Sequence, residues 1–128
     1  MNKLIIDVVN EKIFLMLITN NDIYNITHEN TKINYEKLTT IIKDFLGSIS
    51  LKIGDIEKIY INRGPGSFAG IRNSLSVVKA FNIAKKIDYY CFSFDDFDNK
   101  HNEKYENIPN LCDKLKIKKN LINPIYLS

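Results

Sequence analysis

Three apolar runs open the chain, residues 4–9, 13–18 and 23–27, and the polar breaks between them are short: Asn10-Glu11 and Asn20-Asn21-Asp22. Runs of this length bounded by turn residues predict strands, and breaks this brief predict two consecutive hairpins, an antiparallel meander. The period then changes. Tyr35, Leu38, Ile41, Ile42, Phe45 and Leu46 recur every three or four residues, which predicts an amphipathic helix. Asn34 is placed to cap its first turn and Gly47 to supply the left-handed residue after its last. Glu36, Lys37, Lys43 and Asp44 fall on the wet side of this helix.

Residues 58–62 read as a short buried strand, and a second helix is expected over 68–86. Ser67 is its natural N-cap, and Lys85 and Lys86 lie in the last turn, where the helix dipole favours positive charge. Residues 89–94 read as a further strand. Beyond Asp95 the pattern decays into a lysine- and asparagine-rich stretch with a short helical signal at 111–115 and an apolar end at 125–127. Three antiparallel strands followed by helix, strand, helix, strand is the order of a ribonuclease H-like α/β lobe. Right-handed crossovers would lay the two later strands parallel beside the first in one mixed sheet. The domain expectation is an N-terminal lobe over residues 1–97, then a polar linker and C-terminal remnant over 98–128.

The second helix carries a further expectation. At 100° per residue Phe68, Ile71, Leu75 and Val78 share one sector, while Val77, Phe81 and Ala84 share another with Gly70 between them. A helix apolar on two faces needs cover on two faces. The sheet supplies one; the first helix and a partner protein are candidates for the other. Leu38, Ile41, Ile42, Phe45, Ile71, Leu75, Val78 and Phe81 are therefore the residues to divide between core and partner interface.

Composition sharpens one segment. Isoleucine, asparagine and lysine make up about two fifths of the 128 residues, and basic positions are almost always lysine. The only two arginines, Arg63 and Arg72, flank a loop holding Gly64, Gly66 and Gly70, three of the five glycines. A guanidinium offers a rigid planar fork that an ammonium cannot copy, so its retention here points to a geometric need. The loop Gly64-Pro65-Gly66-Ser67-Phe68-Ala69 also fits the dinucleotide pattern G-x-G-x-x-G/A, with Asp95 or Asp96 where a ribose-binding acid belongs. Against that reading, three hairpin-linked strands precede the loop, whereas a dinucleotide fold places it after the first strand. A phosphate P-loop is excluded because no Gly-Lys-Ser or Gly-Lys-Thr closes the segment. The bland alternative is a tight strand-to-helix connector.

The other groups are less eloquent. A net charge of +3 spread along the chain does not itself indicate nucleic acid. Cys91 and Cys112 form no metal spacing and read as reduced buried thiols, and His28 and His101 are remote from each other and from any cysteine pair, so no metal is expected. Asp95, Asp96 and Asp98 read as a capped turn with the intervening phenylalanines inward. Lys114, Lys116, Lys118 and Lys119 read as a solvated face rather than a phosphate-binding one. Asp7, Asn10, Glu11 and Lys12 interrupt the apolar opening and no cleavage site follows, so a cytoplasmic location is expected.

Residues 62–72 resemble the hallmark of the TsaB family, also called YeaZ: Gly-Arg-Gly-Pro-Gly-Ser-Phe-Thr-Gly-Leu-Arg between a strand and a helix. Asn62 stands for the leading glycine, Ala69 for threonine and Ile71 for leucine. Leu4-Ile5-Ile6-Asp7 is similar to the family's opening strand, and Asn123-Pro124-Ile125-Tyr126-Leu127 to its Pro-Val-Tyr-Leu end. The resemblance implies the actin-like ATPase superfold and a non-catalytic scaffold in the machinery that makes threonylcarbamoyladenosine at position 37 of tRNA. It implies a TsaD-like transferase as partner through the two helices, with a TsaE-like ATPase and a homodimer as further partners. It implies no cofactor and no membrane, and tRNA contact only through the complex. Arg63, Gly64, Pro65, Gly66, Ser67, Phe68, Gly70 and Arg72 form the motif loop, in which the arginines are assigned to ordering the helix start. Asp7 matches the family's first-strand aspartate, but Val8 and Val9 follow it where hydroxyl residues are usual, so it reads as a vestigial nucleotide site. Most of the family's second lobe has no counterpart. Dinucleotide binding and a remnant without a working partner stay open as alternatives.

Overall fold

In a computed structural model of the chain, which describes residues 1–98 and 103–127, five strands form one mixed sheet. They are β1 (Lys3–Asp7), β2 (Lys12–Ile18), β3 (Ile23–Glu29), β4 (Lys58–Asn62) and β5 (Asp88–Phe92), in the order β3-β2-β1-β4-β5. β1 pairs antiparallel with β2, and β2 with β3, while β4 lies parallel to both β1 and β5. This is the α/β, ribonuclease H-like arrangement expected from the element order. β1 is the central strand and is covered on both faces, which is why Leu4-Ile5-Ile6 is an unbroken apolar run rather than an alternation.

The helices are α1 (Lys32–Glu36), α2 (Leu38–Ser48), α3 (Phe68–Lys85) and α4 (Ile108–Lys114). The first three pack on one face of the sheet, where Leu4, Ile6, Leu15, Ile59 and Ile61 meet Leu38, Ile42, Leu46, Ile71, Leu75 and Val78. Two expectations about the first helix are corrected. Its cap is Thr31, whose Oγ1 accepts from the Asn34 backbone N–H, so Asn34 lies inside the first turn and its amide donates to the Glu29 carbonyl. The helix breaks at Lys37, and Gly47 is helical; the left-handed residue is Ser50, at φ 63°.

Part of the segment expected to be a polar linker and C-terminal remnant packs on the sheet. Tyr105, Ile108, Leu111, Cys112 and Ile117 cover the second face of the sheet against Ile5, Met16, Tyr60 and Phe92. Further on, the Asn120 backbone N–H donates to the Tyr89 carbonyl, clipping the chain to the β5 edge. No helix among the described residues is long and apolar enough to cross a membrane.

Candidate functional site

Asp7 ends β1 beneath the glycine loop, 1% exposed. A carboxylate this deep needs donors, and three come from this chain. The Tyr105 hydroxyl donates to Oδ2 at 2.6 Å, the Asn62 amide to the same oxygen at 3.1 Å, and the Val9 backbone N–H to Oδ1 at 3.1 Å. Asn62 is itself fixed because its Oδ1 accepts from the Gly64 N–H at 3.0 Å. Burial and the facing Asp7 carboxylate push the Tyr105 hydroxyl far above its usual range, so it stays protonated and can only donate or accept as a neutral group. Its ring stacks on Phe14 with centroids 4.2 Å apart and meets the edge of Phe94.

The loop from Arg63 to Ser67 is crossed by the C-terminal strap, residues 123–127. The Ile125 N–H donates to the Arg63 carbonyl and the Leu127 N–H to the Gly66 carbonyl. Arg63 reaches two partners at once: one guanidinium nitrogen donates to Asp96 Oδ1 at 2.7 Å and the other to the Asn123 carbonyl at 3.1 Å. Asp96 in turn accepts from the Ser93 N–H within a capped turn, with Phe97 buried below it. Arg63 therefore joins three segments, β4, the turn after β5 and the strap, which a lysine's single nitrogen could not do in one geometry. Arg72 behaves differently. It is exposed, and its guanidinium lies 5.7 Å from the Phe68 ring centre, while the Tyr126 ring also meets Phe68, with centroids 4.7 Å apart.

The glycines are explained by these close approaches. Gly64 has φ +117°, and a Cβ there would stand 2.1 Å from the Ile125 carbonyl oxygen. A Cβ on Gly66 would meet Val9 and Ile71 at 3.0 Å, and one on Gly70 would press on Ser67 Oγ at 3.2 Å. The space beside the glycines is filled by protein atoms, the strap on one side and the β1–β2 turn on the other. The loop thus lacks the open cradle that a dinucleotide pyrophosphate needs.

The structure divides the eight interface candidates unequally. Leu38, Ile42, Phe45, Ile71, Leu75, Val78 and Phe81 are buried in the chain's own core and Ile41 is half-buried against it. The two-faced reading of α3 is corrected with them: Gly70, Ile71, Ser74, Leu75, Val78 and Phe81 make a single buried stripe, while Phe68 and Ala84 point outward. The exposed side of α3 carries Arg72, Ser76, Lys79, Ala80 and Ile83, and with Ile122 and the strap's Tyr126 it lines an open apolar groove. Ile83 is 70% exposed. Periodicity alone could not have separated the two stripes.

Tyr105 is the site residue that sequence reasoning missed. It is 98 positions from Asp7 and belongs to no motif. Cys91 and Cys112 are buried free thiols, raised by burial to about 11 and about 12 respectively. His28 lies in β3, and His101 lies outside the described residues. Among the described residues no three His, Cys, Asp or Glu side chains gather as metal ligands.

This geometry has parallels. The fold superposes on YeaZ from Pseudomonas aeruginosa with a TM-score of 0.66 at 21% identity, covering 72% of this chain and 43% of that one. A structure described as an uncharacterized protein with similarity to peptidase YEAZ from Pseudomonas aeruginosa matches with the same values. This chain thus spans less than half the length of either. RuvC from Thermus thermophilus matches with a TM-score of 0.52 at 11% identity, over 92% of this chain and 82% of that one. At these identities the likeness is one of fold. No curated protein matches the sequence. The family model of TsaD, tRNA N6-adenosine threonylcarbamoyltransferase, matches residues 29–93, just over half of the chain and including the whole motif loop. On that match the chain belongs to the TsaD family, and its fold is like that of YeaZ.

Proposed function

We propose that this chain is a non-catalytic scaffold in the formation of threonylcarbamoyladenosine on tRNA, acting by binding a TsaD-like transferase. The observation that supports the reading most is the satisfied state of the site. Asp7, the one buried acid at the head of the sheet, has three donors from its own chain, and the glycine loop is packed against Ile125 and Val9. A group that must engage a phosphate or a reacting carbonyl needs an open coordination position; these have been turned inward. What remains outward is the exposed stripe of α3 beside the strap, with Arg72, Lys79, Ala80 and Ile83 in reach of a partner. On this reading residues 1–97 are the lobe that the family's fold requires, and residues 105–117 seal its second face. A TsaE-like ATPase would join the pair of this chain and the transferase, and the complex would work in the cytoplasm.

The test is co-purification of the chain with a TsaD-like transferase, with nucleoside mass spectrometry of total tRNA from cells lacking the gene. Binding that is lost on Ile83→Glu while the circular dichroism spectrum is kept, together with reduced threonylcarbamoyladenosine, is expected. Binding unchanged by Ile83→Glu removes the proposed surface. Unchanged threonylcarbamoyladenosine removes the function and leaves a remnant. Calorimetric titration with NAD and FAD tests the dinucleotide alternative, for which saturation is not expected.

A further inference from the structure

Among the described residues, the strand at one margin of the sheet has its outer edge unpaired. β3 pairs with β2 along all seven residues, without a bulge, proline or lysine, and is the last strand in the sheet order. The opposite margin is treated otherwise: β5 is clipped by the segment at Lys119 and Asn120. Proteins commonly blunt exposed edges with short strands, charges, prolines or bulges, and β3 has almost none of these. Its one anionic residue, Glu29, is paired with Lys12 on the neighbouring strand.

The phase of the β2–β3 ladder can be fixed. At one end the Thr19 N–H donates to the Asp22 carbonyl, and at the other the Asn30 N–H donates to the Glu11 carbonyl. Hydrogen-bonded pairs alternate with non-bonded ones in an antiparallel ladder. Tyr24, Ile26 and His28 therefore bond inward to β2, and the backbone groups of Ile23, Asn25, Thr27 and Glu29 point out of the sheet.

We infer that a second copy of this chain pairs here, β3 antiparallel to β3 across a two-fold axis at Ile26, extending the sheet through both molecules. This register pairs all four outward residues, Asn25 with Thr27 and Ile23 with Glu29 of the other copy, for about eight backbone hydrogen bonds. A shift of two residues either way leaves one outward residue unpaired on each strand. Side chains agree with it. Ile26 meets Ile26, Tyr24 meets His28, and Asn25 meets Thr27, which are favourable cross-strand neighbours with no like charges opposed. On the helical face the incoming Ile26 and His28 fall beside the groove lined by Tyr24, Ile26, Phe45 and Ile49. This contact leaves the exposed stripe of α3 free, so it stands whether or not the proposed transferase surface does.

Sedimentation equilibrium of the full chain from about 1 µM to about 1 mM spans the affinity range of such a contact. A monomer–dimer equilibrium is expected, weakened at least about tenfold by Thr27→Pro, which removes an outward N–H without touching the β2 ladder. Asn25→Lys with Thr27→Lys sets lysines opposite each other and is expected to give monomer; Asn25→Lys with Thr27→Glu sets opposite charges together and is expected to retain the dimer. Both double variants alter exposed side chains, and thermal melts confirm their fold. A chain monomeric at every concentration overturns the inference. So does a dimer indifferent to Thr27→Pro, or one for which the two double variants behave alike.

Discussion

Replacing Tyr105 by Phe removes a single oxygen and isolates the Asp7 bond from the packing around it. The ring can keep its 4.2 Å stack on Phe14 and its edge contact with Phe94, so what is lost is a 2.6 Å donor to a carboxylate that is 1% exposed. Hydrogen bonds to charged groups contribute about 1.5–3 kcal/mol, and the lost one leaves Asp7 with the Asn62 and Val9 donors rather than none. A loss of about 2 kcal/mol follows, which for a domain of this size lowers Tm by about 6–8 °C. Tyr60→Phe is the matched control. Its hydroxyl is buried in the same face of the sheet without a partner among the described residues, and burial holds it protonated, so deleting it should change Tm by less than about 2 °C or raise it. Differential scanning calorimetry of both variants gives the comparison directly. Equal melting points for the two would refute the account of Asp7 as an acceptor that the C-terminal segment must satisfy.

Two further outcomes rest on separate observations. Gly64→Ala places a methyl at 2.1 Å from the Ile125 carbonyl with φ at +117°, so it should cost more than about 3 kcal/mol or release the strap; Gly47→Ala meets nothing within 4 Å inside α2 and should stabilise by about 0.5–1 kcal/mol, both read by urea unfolding. Asp88 is held below the usual carboxylate range, first by the Asn120 amide and then by Lys119, so its contribution is present above the unfolded value of about 4 and is lost as pH falls through the folded one. Because the group is partly exposed the effect is small, and Asp88→Asn should flatten the acid limb of a plot of Tm against pH below about pH 4; an unchanged limb counts against the clip.

The sheet was legible because each strand's signal is local. Ile59-Tyr60-Ile61 is an apolar run between Lys58 and the glycine loop, and β4 spans Lys58–Asn62. The α3 start was legible for the same reason, with Ser67 extended and Phe68 helical. The first helix was read less well because two capping residues compete within four positions. Thr31 and Asn34 can both accept a backbone N–H, and Asn34 bonds to Glu29 at the end of β3, a tertiary contact that periodicity cannot register.

The interface candidates could not be divided from the sequence for a related reason: an apolar period says that a face is covered and not by which molecule. Here the sheet and α2 cover the buried stripe of α3, and the exposed stripe, with Arg72, Lys79 and Ile83, is too polar to stand out in a pattern search. The loop illustrates the limit most clearly. Its glycines match a phosphate-binding pattern because both solutions need backbone without side chains. What distinguishes them is the occupant of the cleared space. In this chain the occupant is the Ile125 carbonyl, more than fifty residues away, with Arg63 tying the strap that carries it to the turn at Asp96. The same residue types that would cradle an anion instead bind the end of the chain to its own sheet. Asp7 is absorbed likewise by Tyr105, so the loop and Asp7 are both closed by the segment that follows β5. A variant that frees this segment should therefore loosen the loop and Asp7 together. Hydrogen exchange at the Gly64 and Val9 amides, which bond to Asn62 and Asp7, should rise in parallel in Tyr105→Ala; a rise at Val9 alone would separate the two closures.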